Sequence, residues 1–290
     1  KVKNINIFCF GFGQVAKNFI SKLNIEKYNI NLSTTSRNET SIKKLDNINY
    51  KSYQFDANIF DPEISVEIKK ATHILISTPP ESEEYIIKNF GKILQTNSLL
   101  EWFVYLSSTG VYGNHDGRWV DEDTFTDPTS IRGKKRLKAE QSLKDLNMSL
   151  IIFRLSGIYS NEKNVLSRLK KNIPKIIDME NQIFSRIHIE DISNVLFKSF
   201  FHKEIKKGEI FNISDNYPCS YKEVVEYGCK LLDIEKPKVF SLKEIGDDQL
   251  KDFYKDSKRV SNEKVKKFFN YKFKFSSYTE GLNYIRDNFI

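Results

Sequence analysis

Residues 5–16 read INIFCFGFGQVA. They set Gly11, Gly13 and Ala16 in the G-x-G-x-x-G/A spacing, between an apolar run of strand length and a segment of helical period. The chemistry that this spacing serves is anion binding. Gly11 suits a tight turn, Gly13 lets the backbone approach a pyrophosphate, and Ala16 lets helix and strand pack closely. The helix N-terminus adds unpaired N–H groups and a partial positive charge for phosphate oxygens. The pattern points to a dinucleotide held at Gly11, Phe12, Gly13, Gln14 and Val15, with a bare structural turn as the alternative.

The next run, NLSTTSRNET, bears on which dinucleotide. An NAD site places Asp or Glu at the end of the second strand to accept from the ribose hydroxyls. Ser36 and Arg37 stand there instead. A guanidinium fork can give a 2′-phosphate two charge-assisted hydrogen bonds. The reading favours NADP over NAD; in the alternative, Arg37 is a surface residue and Glu39 takes the ribose.

The elements that position these residues follow from apolar periodicity. Strands are expected at 5–10, 29–33, 50–55, 73–77, 102–107 and 149–154, with polar 36–45 between the second and third. Val15, Ala16, Phe19, Ile20 and Leu23 repeat at helical spacing, and further helices are expected at 64–70, 83–94 and 134–146. Alternation of this kind implies βαβ units and a doubly wound parallel sheet, a Rossmann α/β fold. Beyond residue 155 the alternation loosens into a smaller α+β part. Strands are expected at 183–189 and 209–213 around a helix at 191–201. Ser220 and Glu223 read as a capping box opening a helix to about residue 232. Residues 235–258 read as irregular, and helices near 262–269 and 279–290 follow. The expected division is a dinucleotide domain over 1–155, to which 184–215 returns, and a smaller part made of 156–183 and 216–290.

Composition narrows the classes. Of 290 residues, 39% are hydrophobic, with 22 Phe and 14 Tyr, which is too much apolar bulk for a disordered chain. Twelve Gly, seven Pro and three Cys exclude collagen-like and disulfide-scaffold classes. No run reaches the ~18 to 20 apolar residues of a membrane span. Residues 1–10 mimic a leader, but a glycine turn follows in place of a cleavage site. Cys9, Cys219 and Cys229 form no CxxC pair and the four His do not cluster with them, so a reduced, cytoplasmic protein without metal is expected. The net charge of +8 is spread along the chain, which favours a solvated surface over nucleic-acid binding.

The segment VYLSSTGVYG, residues 104–113, resembles the extended branch of the short-chain dehydrogenase/reductase superfamily, the nucleotide-sugar epimerases and dehydratases. So do WVDEDTFTDPTS, FRLSGIYS (153–160), RIHIEDISNVL (186–196), GEIFNISDNYP (208–218) and SKRVSN (257–262). The resemblance implies that Ser108 hydrogen-bonds the reacting substrate oxygen, with Thr109 beside it and Tyr112 starting a loop over the substrate. It implies that Asp56 bonds the adenine amino group, that Ser77 and Thr78 line the adenosine ribose, and that 156–183 and 216–290 bind substrate. Dimerisation through a helix pair is common in the branch, so a homodimer is also expected.

One departure stands out. The family carries Y-x-x-x-K followed by A-E, with tyrosine as acid/base and lysine on the nicotinamide ribose. The chain reads SIRGKKRLKAE. Aligned on Ala139 and Glu140, Arg132 takes the tyrosine position and Arg136 the lysine position. Arg136 can serve as a fixed cation for the ribose, but a guanidinium does not deprotonate in proteins, so Arg132 cannot be a base. Tyr112 or Tyr159 could pass the proton, both being more often packing residues. His188 reads as a bracing histidine, Asp191 as a helix cap and Cys9 as a buried hydrophobe.

Three functional readings follow. The first is an NADP-dependent epimerase, dehydratase or reductase acting by hydride transfer on a polar metabolite such as a nucleotide sugar. Ser108, Thr109, Tyr112, Arg132 and Arg136 would form its catalytic set. The second is a non-catalytic NAD(P)H-binding sensor or regulator. The third, nucleic-acid binding, would show steep salt dependence.

Overall fold

The computed structural model describes residues 4–290 except 27, 173, 174, 178 and 180. Lys1, Val2 and Lys3, the basic start of the leader-like stretch, lie outside the described residues. In chain order the elements are β1 (Asn4–Phe10), α1 (Gln14–Ile25), β2 (Asn29–Ser36), β3 (Ser41–Leu45), β4 (Ile48–Asp56), β5 (Ile59–Phe60), α2 (Glu63–Lys70), β6 (His73–Ile76), α3 (Glu83–Thr96) and β7 (Trp102–Ser108). There follow β8 (Trp119–Val120), α4 (Ile131–Lys144), β9 (Leu150–Leu155), β10 (Gly157–Tyr159), α5 (Val165–Leu169), β11 (Ile176–Ile177), β12 (Arg186–His188) and α6 (Ile189–Phe200). The chain closes with β13 (Glu209–Ile213), α7 (Tyr221–Leu232), β14 (Val239–Phe240), α8 (Asp248–Lys255), β15 (Arg259–Val260), α9 (Glu263–Phe269) and α10 (Tyr278–Phe289).

Among the described residues, nine strands form one sheet in the order β13-β9-β7-β6-β1-β2-β4-β3, with β5 also on β4. The pairs β1–β2, β1–β6, β2–β4 and β6–β7 are parallel. The Rossmann α/β fold expected from the alternation is therefore present. Central strands are buried on both faces, as in LIIFRL of β9, where all six residues are buried and five are apolar. α1 buries Val15, Ala16, Phe19, Ile20 and Leu23, the same residues whose spacing predicts its apolar face. Phe90 of α3 lies 5.0 to 6.0 Å, centroid to centroid, from the rings of Phe10, Phe55 and Phe60. From β1 the chain winds outward through β2 and β4, and then from β6 outward through β7. Strand order thus reverses between β1 and β6, where doubly wound sheets open a crevice at the carboxyl ends of their strands.

Two compact units divide the chain. The first comprises residues 1–107, 135–154 and 192–211; the second comprises 108–134, 155–191 and 212–290. Residues 108–134, inside the expected 1–155 span, cluster with the second unit, and the returning segment is 192–211. The core of the second unit gathers Val165, Leu166 and Leu169 of α5 with Val224, Val225 and Cys229 of α7 and Leu282 and Ile285 of α10. Gly228 lets α7 approach: a Cβ there would stand 2.8 Å from Leu169 Cδ1. No helix among the described residues is long and apolar enough to cross a membrane.

Some elements differ from expectation. Within polar 36–45, residues 41–45 form the edge strand β3, antiparallel to β4 with Leu45 opposite Ile48. The two-residue turn that permits this has Asp46 at φ 52°, a conformation Asp tolerates better than most residues. Within 235–258, α8 forms on the N-cap Asp247, which accepts from the Gln249 and Leu250 N–H groups. The strand expected at 183–189 shortens to β12, and α4 begins at Ile131, one turn early. Ser220 caps α7 by accepting from Glu223 N, but the Glu223 carboxylate takes the Tyr278 hydroxyl in place of closing a capping box.

Candidate functional site

A cleft of about 610 Å³ opens in the first unit at the ends of β1, β2, β4 and β6. Gly11 forms its floor at φ +78°, and a Cβ there would stand 3.0 Å from Thr78 Cγ2 and 3.2 Å from Thr78 N. Glycine is therefore required twice over, by conformation and by space. Its N–H donates to Thr35 Oγ1 at 2.9 Å. Gly13 is the N-cap of α1 with no side-chain cap, and a Cβ on it would meet nothing within 4 Å. Open room beside an uncapped helix start is what an anion needs.

Three buried hydroxyls lining the cleft, Thr34 Oγ1, Ser36 Oγ and Thr78 Oγ1, have no hydrogen-bond partner among the described residues. Buried hydroxyls are usually paired, so three in one cleft mark a place for a hydroxyl-rich ligand. Lys17, Arg37 and Lys43 line the same cleft, and Asp56 and Glu81 are its acids. Glu81 is ion-paired to Lys135 at 3.0 Å. Phe12 meets Tyr50 edge-on at 5.1 Å, giving the cleft an aromatic wall.

Of the residues expected here, Gly11, Phe12, Gly13, Ser36, Arg37, Asp56 and Thr78 line the cleft. Gln14, Val15, Ser77 and Glu39 are not among its lining residues. Val15 is buried in the α1 packing face, and Ser77 Oγ donates to the carbonyls of Phe10 and Gly11, bracing the glycine turn. Sequence reading missed Lys17 and Lys43. Lys17 follows the glycine motif by one residue, but Lys43 sits on the unforeseen β3.

Arg136 makes its hydrogen bonds within the first unit. Its Nη1 reaches Thr78 O at 3.1 Å, Tyr105 Oη at 2.9 Å and Leu106 O at 3.3 Å. The guanidinium thus ties the ends of β6 and β7 together. Burial pushes the Tyr105 phenol up to about 12, against the lowering effect of Arg136. Glu83, buried at the start of α3, is likewise raised by burial.

The remaining candidates lie in the second unit. Ser108 is partly exposed at the end of β7 and its Oγ accepts from Gly110 N at 3.1 Å. Thr109 is buried in the turn that follows. Tyr112 is fully buried, and its hydroxyl donates to Asn212 Oδ1 at 2.7 Å. Its phenol proton is thereby engaged within the unit. Arg132 is exposed on the first turn of α4. Beside it, Gly133 packs so closely that a Cβ would stand 2.6 Å from Gly110 O.

His188 is buried, with Nε2 at 3.0 Å from Asn161 Oδ1 while Nδ1 accepts from Glu190 N. These contacts assign the Nε2–H tautomer, and burial pulls the imidazole down to about 4. It is a neutral brace, as expected. Asp191 does not cap α6; its carboxylate accepts from Lys274 N, Phe275 N and the Tyr271 hydroxyl, clamping the segment before α10. Tyr159 is half-buried with its hydroxyl inside the unit, and burial raises the phenol well above its ordinary range. Asp215, which sequence reading passed over, is buried, its Oδ2 has no hydrogen-bond partner among the described residues, and its carboxyl is pushed up to about 7 by burial. Cys9 is fully buried, and burial pushes its thiol up.

Comparison with known proteins adds to this geometry. Residues 95–214 match the RmlD substrate binding domain family. Over 189 residues the chain is 23% identical to the spore coat polysaccharide biosynthesis protein SpsK of Bacillus subtilis, covering 62% of this chain and 65% of that protein. A protein of unknown function from Silicibacter pomeroyi is 29% identical with a TM-score of 0.84, over 97% of this chain and 98% of that one. The NAD complex of dTDP-glucose 4,6-dehydratase from Bacillus anthracis has a TM-score of 0.76 at 17% identity, over 98% and 96% of the two chains. The Rossmann fold is thus shared with these solved structures, and the middle of the chain is similar to the RmlD substrate binding domain.

Proposed function

We propose that the chain binds NADP in preference to NAD in its first unit and acts by hydride transfer on a polar metabolite of the nucleotide-sugar class, held by its second unit. The observation that carries the reading is the cleft at the strand-order reversal. There the Gly11–Gly13 turn, three unpaired hydroxyls and Arg37 converge. The relatives support its coarser part, a nicotinamide dinucleotide and sugar chemistry: the B. anthracis dehydratase is an NAD complex, and SpsK belongs to polysaccharide biosynthesis; the preference for NADP rests on Arg37 alone.

The nicotinamide ring, when bound, supplies the hydride donor or acceptor. The uncapped start of α1 and Lys17 neutralise the pyrophosphate, and Thr34, Ser36 and Thr78 take ribose hydroxyls. Ser108 accepts from Gly110 N, which leaves its own O–H to donate to a substrate oxygen and polarise it. Arg132 acts as an electrophile that stabilises negative charge, since it cannot act as a base. With the Tyr112 hydroxyl given to Asn212, water passes the proton.

The test is thermal stability with NADPH and with NADH in excess. A ligand at ~100 times its Kd stabilises the fold by about 2.7 kcal/mol. A shift with NADPH and a smaller one with NADH is the expected result; no shift with either overturns the reading.

A second reading, a cofactor sensor without turnover, is favoured by Arg136. The residue at the lysine position is tied to Thr78, Tyr105 and Leu106. It calls for NADPH binding with no NADPH oxidation across a panel of carbonyl compounds.

A further inference from the structure

We propose that Lys43, acting with Arg37, is the second cation of a clamp for the phosphate on the adenosine ribose, and so a determinant of cofactor choice. This rests on the dinucleotide reading above. Parallel β2 and β4 need a crossover between them, and the crossover is ordinarily helical. Here it is the edge strand β3, which doubles back on β4. The substitution brings a strand lysine to the cleft that a helical crossover would place by a different period.

Register fixes which lysine arrives. Lys43 pairs with Tyr50 and Ser41 with Ser52, while Ser52 pairs in turn with Thr34 of β2. Lys43, Tyr50, Ser52 and Thr34 all line the 610 Å³ cleft. Side chains alternate along a strand, and Ile42, the neighbour of Lys43, instead lines a separate cavity of 480 Å³ together with Asn49 and Lys51. A slip of one residue would exchange the two faces. Among the described residues neither Arg37 nor Lys43 has an ion-pair partner, so both cations are available to an anion. Lys44, next along β3, is exposed and is not a lining residue of the cleft. A lysine kept only to discourage edge pairing would behave like Lys44.

The test is calorimetric titration with adenosine 2′,5′-bisphosphate and with adenosine 5′-diphosphate, which differ in where the second phosphate sits. The expected result is a wild-type preference for the 2′,5′-bisphosphate. Lys43→Gln and Arg37→Gln should each weaken its binding about tenfold or more, as loss of a charge-assisted hydrogen bond does. Binding of the 5′-diphosphate and of both nucleotides to Lys44→Gln should be unchanged. Thermal melts of each variant confirm that it is folded. If Lys43→Gln keeps the full preference while Arg37→Gln loses it, the role of Lys43 is overturned and the dinucleotide reading stands. If the wild type does not discriminate, the clamp falls; if it binds neither nucleotide, the dinucleotide reading itself falls.

Discussion

The Tyr112 hydroxyl donates to Asn212 Oδ1 at 2.7 Å, joining residues a hundred positions apart. Asn212 also gives Nδ2 to Ser261 O and its backbone N–H to Glu122 Oε1. The tyrosine of the VYG segment therefore belongs to a buried polar network. Tyr112→Phe leaves a buried amide oxygen short of a donor and should cost ~1 to 3 kcal/mol of stability. Urea unfolding would register the loss while NADPH affinity stays unchanged. A variant of full stability would show that the network is dispensable.

Ser108 offers the opposite signature. Removing a donor aimed at a developing oxyanion costs on the order of 10²-fold in kcat, so Ser108→Ala should lose turnover with little change in cofactor Kd. Steady-state kinetics paired with calorimetry separates the two quantities. Equal losses in both would remove Ser108 from the reacting centre.

Arg154 and Glu140 form a buried bidentate pair, at 2.9 Å and 2.8 Å, inside the first unit. Breaking a buried pair from one side strands a charge, so Glu140→Gln should destabilise by ~3 to 5 kcal/mol. Chemical denaturation would measure it. A loss below 1 kcal/mol, of the size expected for an exposed pair, would mean that water reaches the arginine.

Asp215 predicts a pH dependence. Burial raises its carboxyl to about 7, so the folded protein keeps a proton that the unfolded chain has lost above ~3.9. Stability contributed by the protonated form is complete at low pH. It falls as pH rises through that window, up to about 7. Asp215→Asn should flatten this slope and raise stability at neutral pH, read from urea midpoints across the window. An unchanged slope would assign the dependence elsewhere.

The glycine turn and the alternating strands were legible because backbone demands are local: Gly11, Gly13 and the α1 face each follow from spacing within a few residues. Arg37 was legible for the same reason, standing just past a strand that apolar residues mark. Lys43 was not, since β3 is a polar edge strand whose pairing depends on a left-handed Asp46 and on a partner strand. The contacts of Arg136 were not legible, because its three acceptors come from β7 and from the segment after β6. Asp191 likewise serves a segment some eighty residues away. Neither distance has a signature in the local sequence.

Gly133 and the Gly110 carbonyl meet where no side chain fits. An α-helix advances about 100° per residue, so turning α4 by one position would drive a β-carbon into that oxygen. The direction of the side chain at position 132 is thus dictated by a neighbour that has none. Chemistry at 132 can be exchanged there, arginine for tyrosine or the reverse, while the backbone keeps the aim.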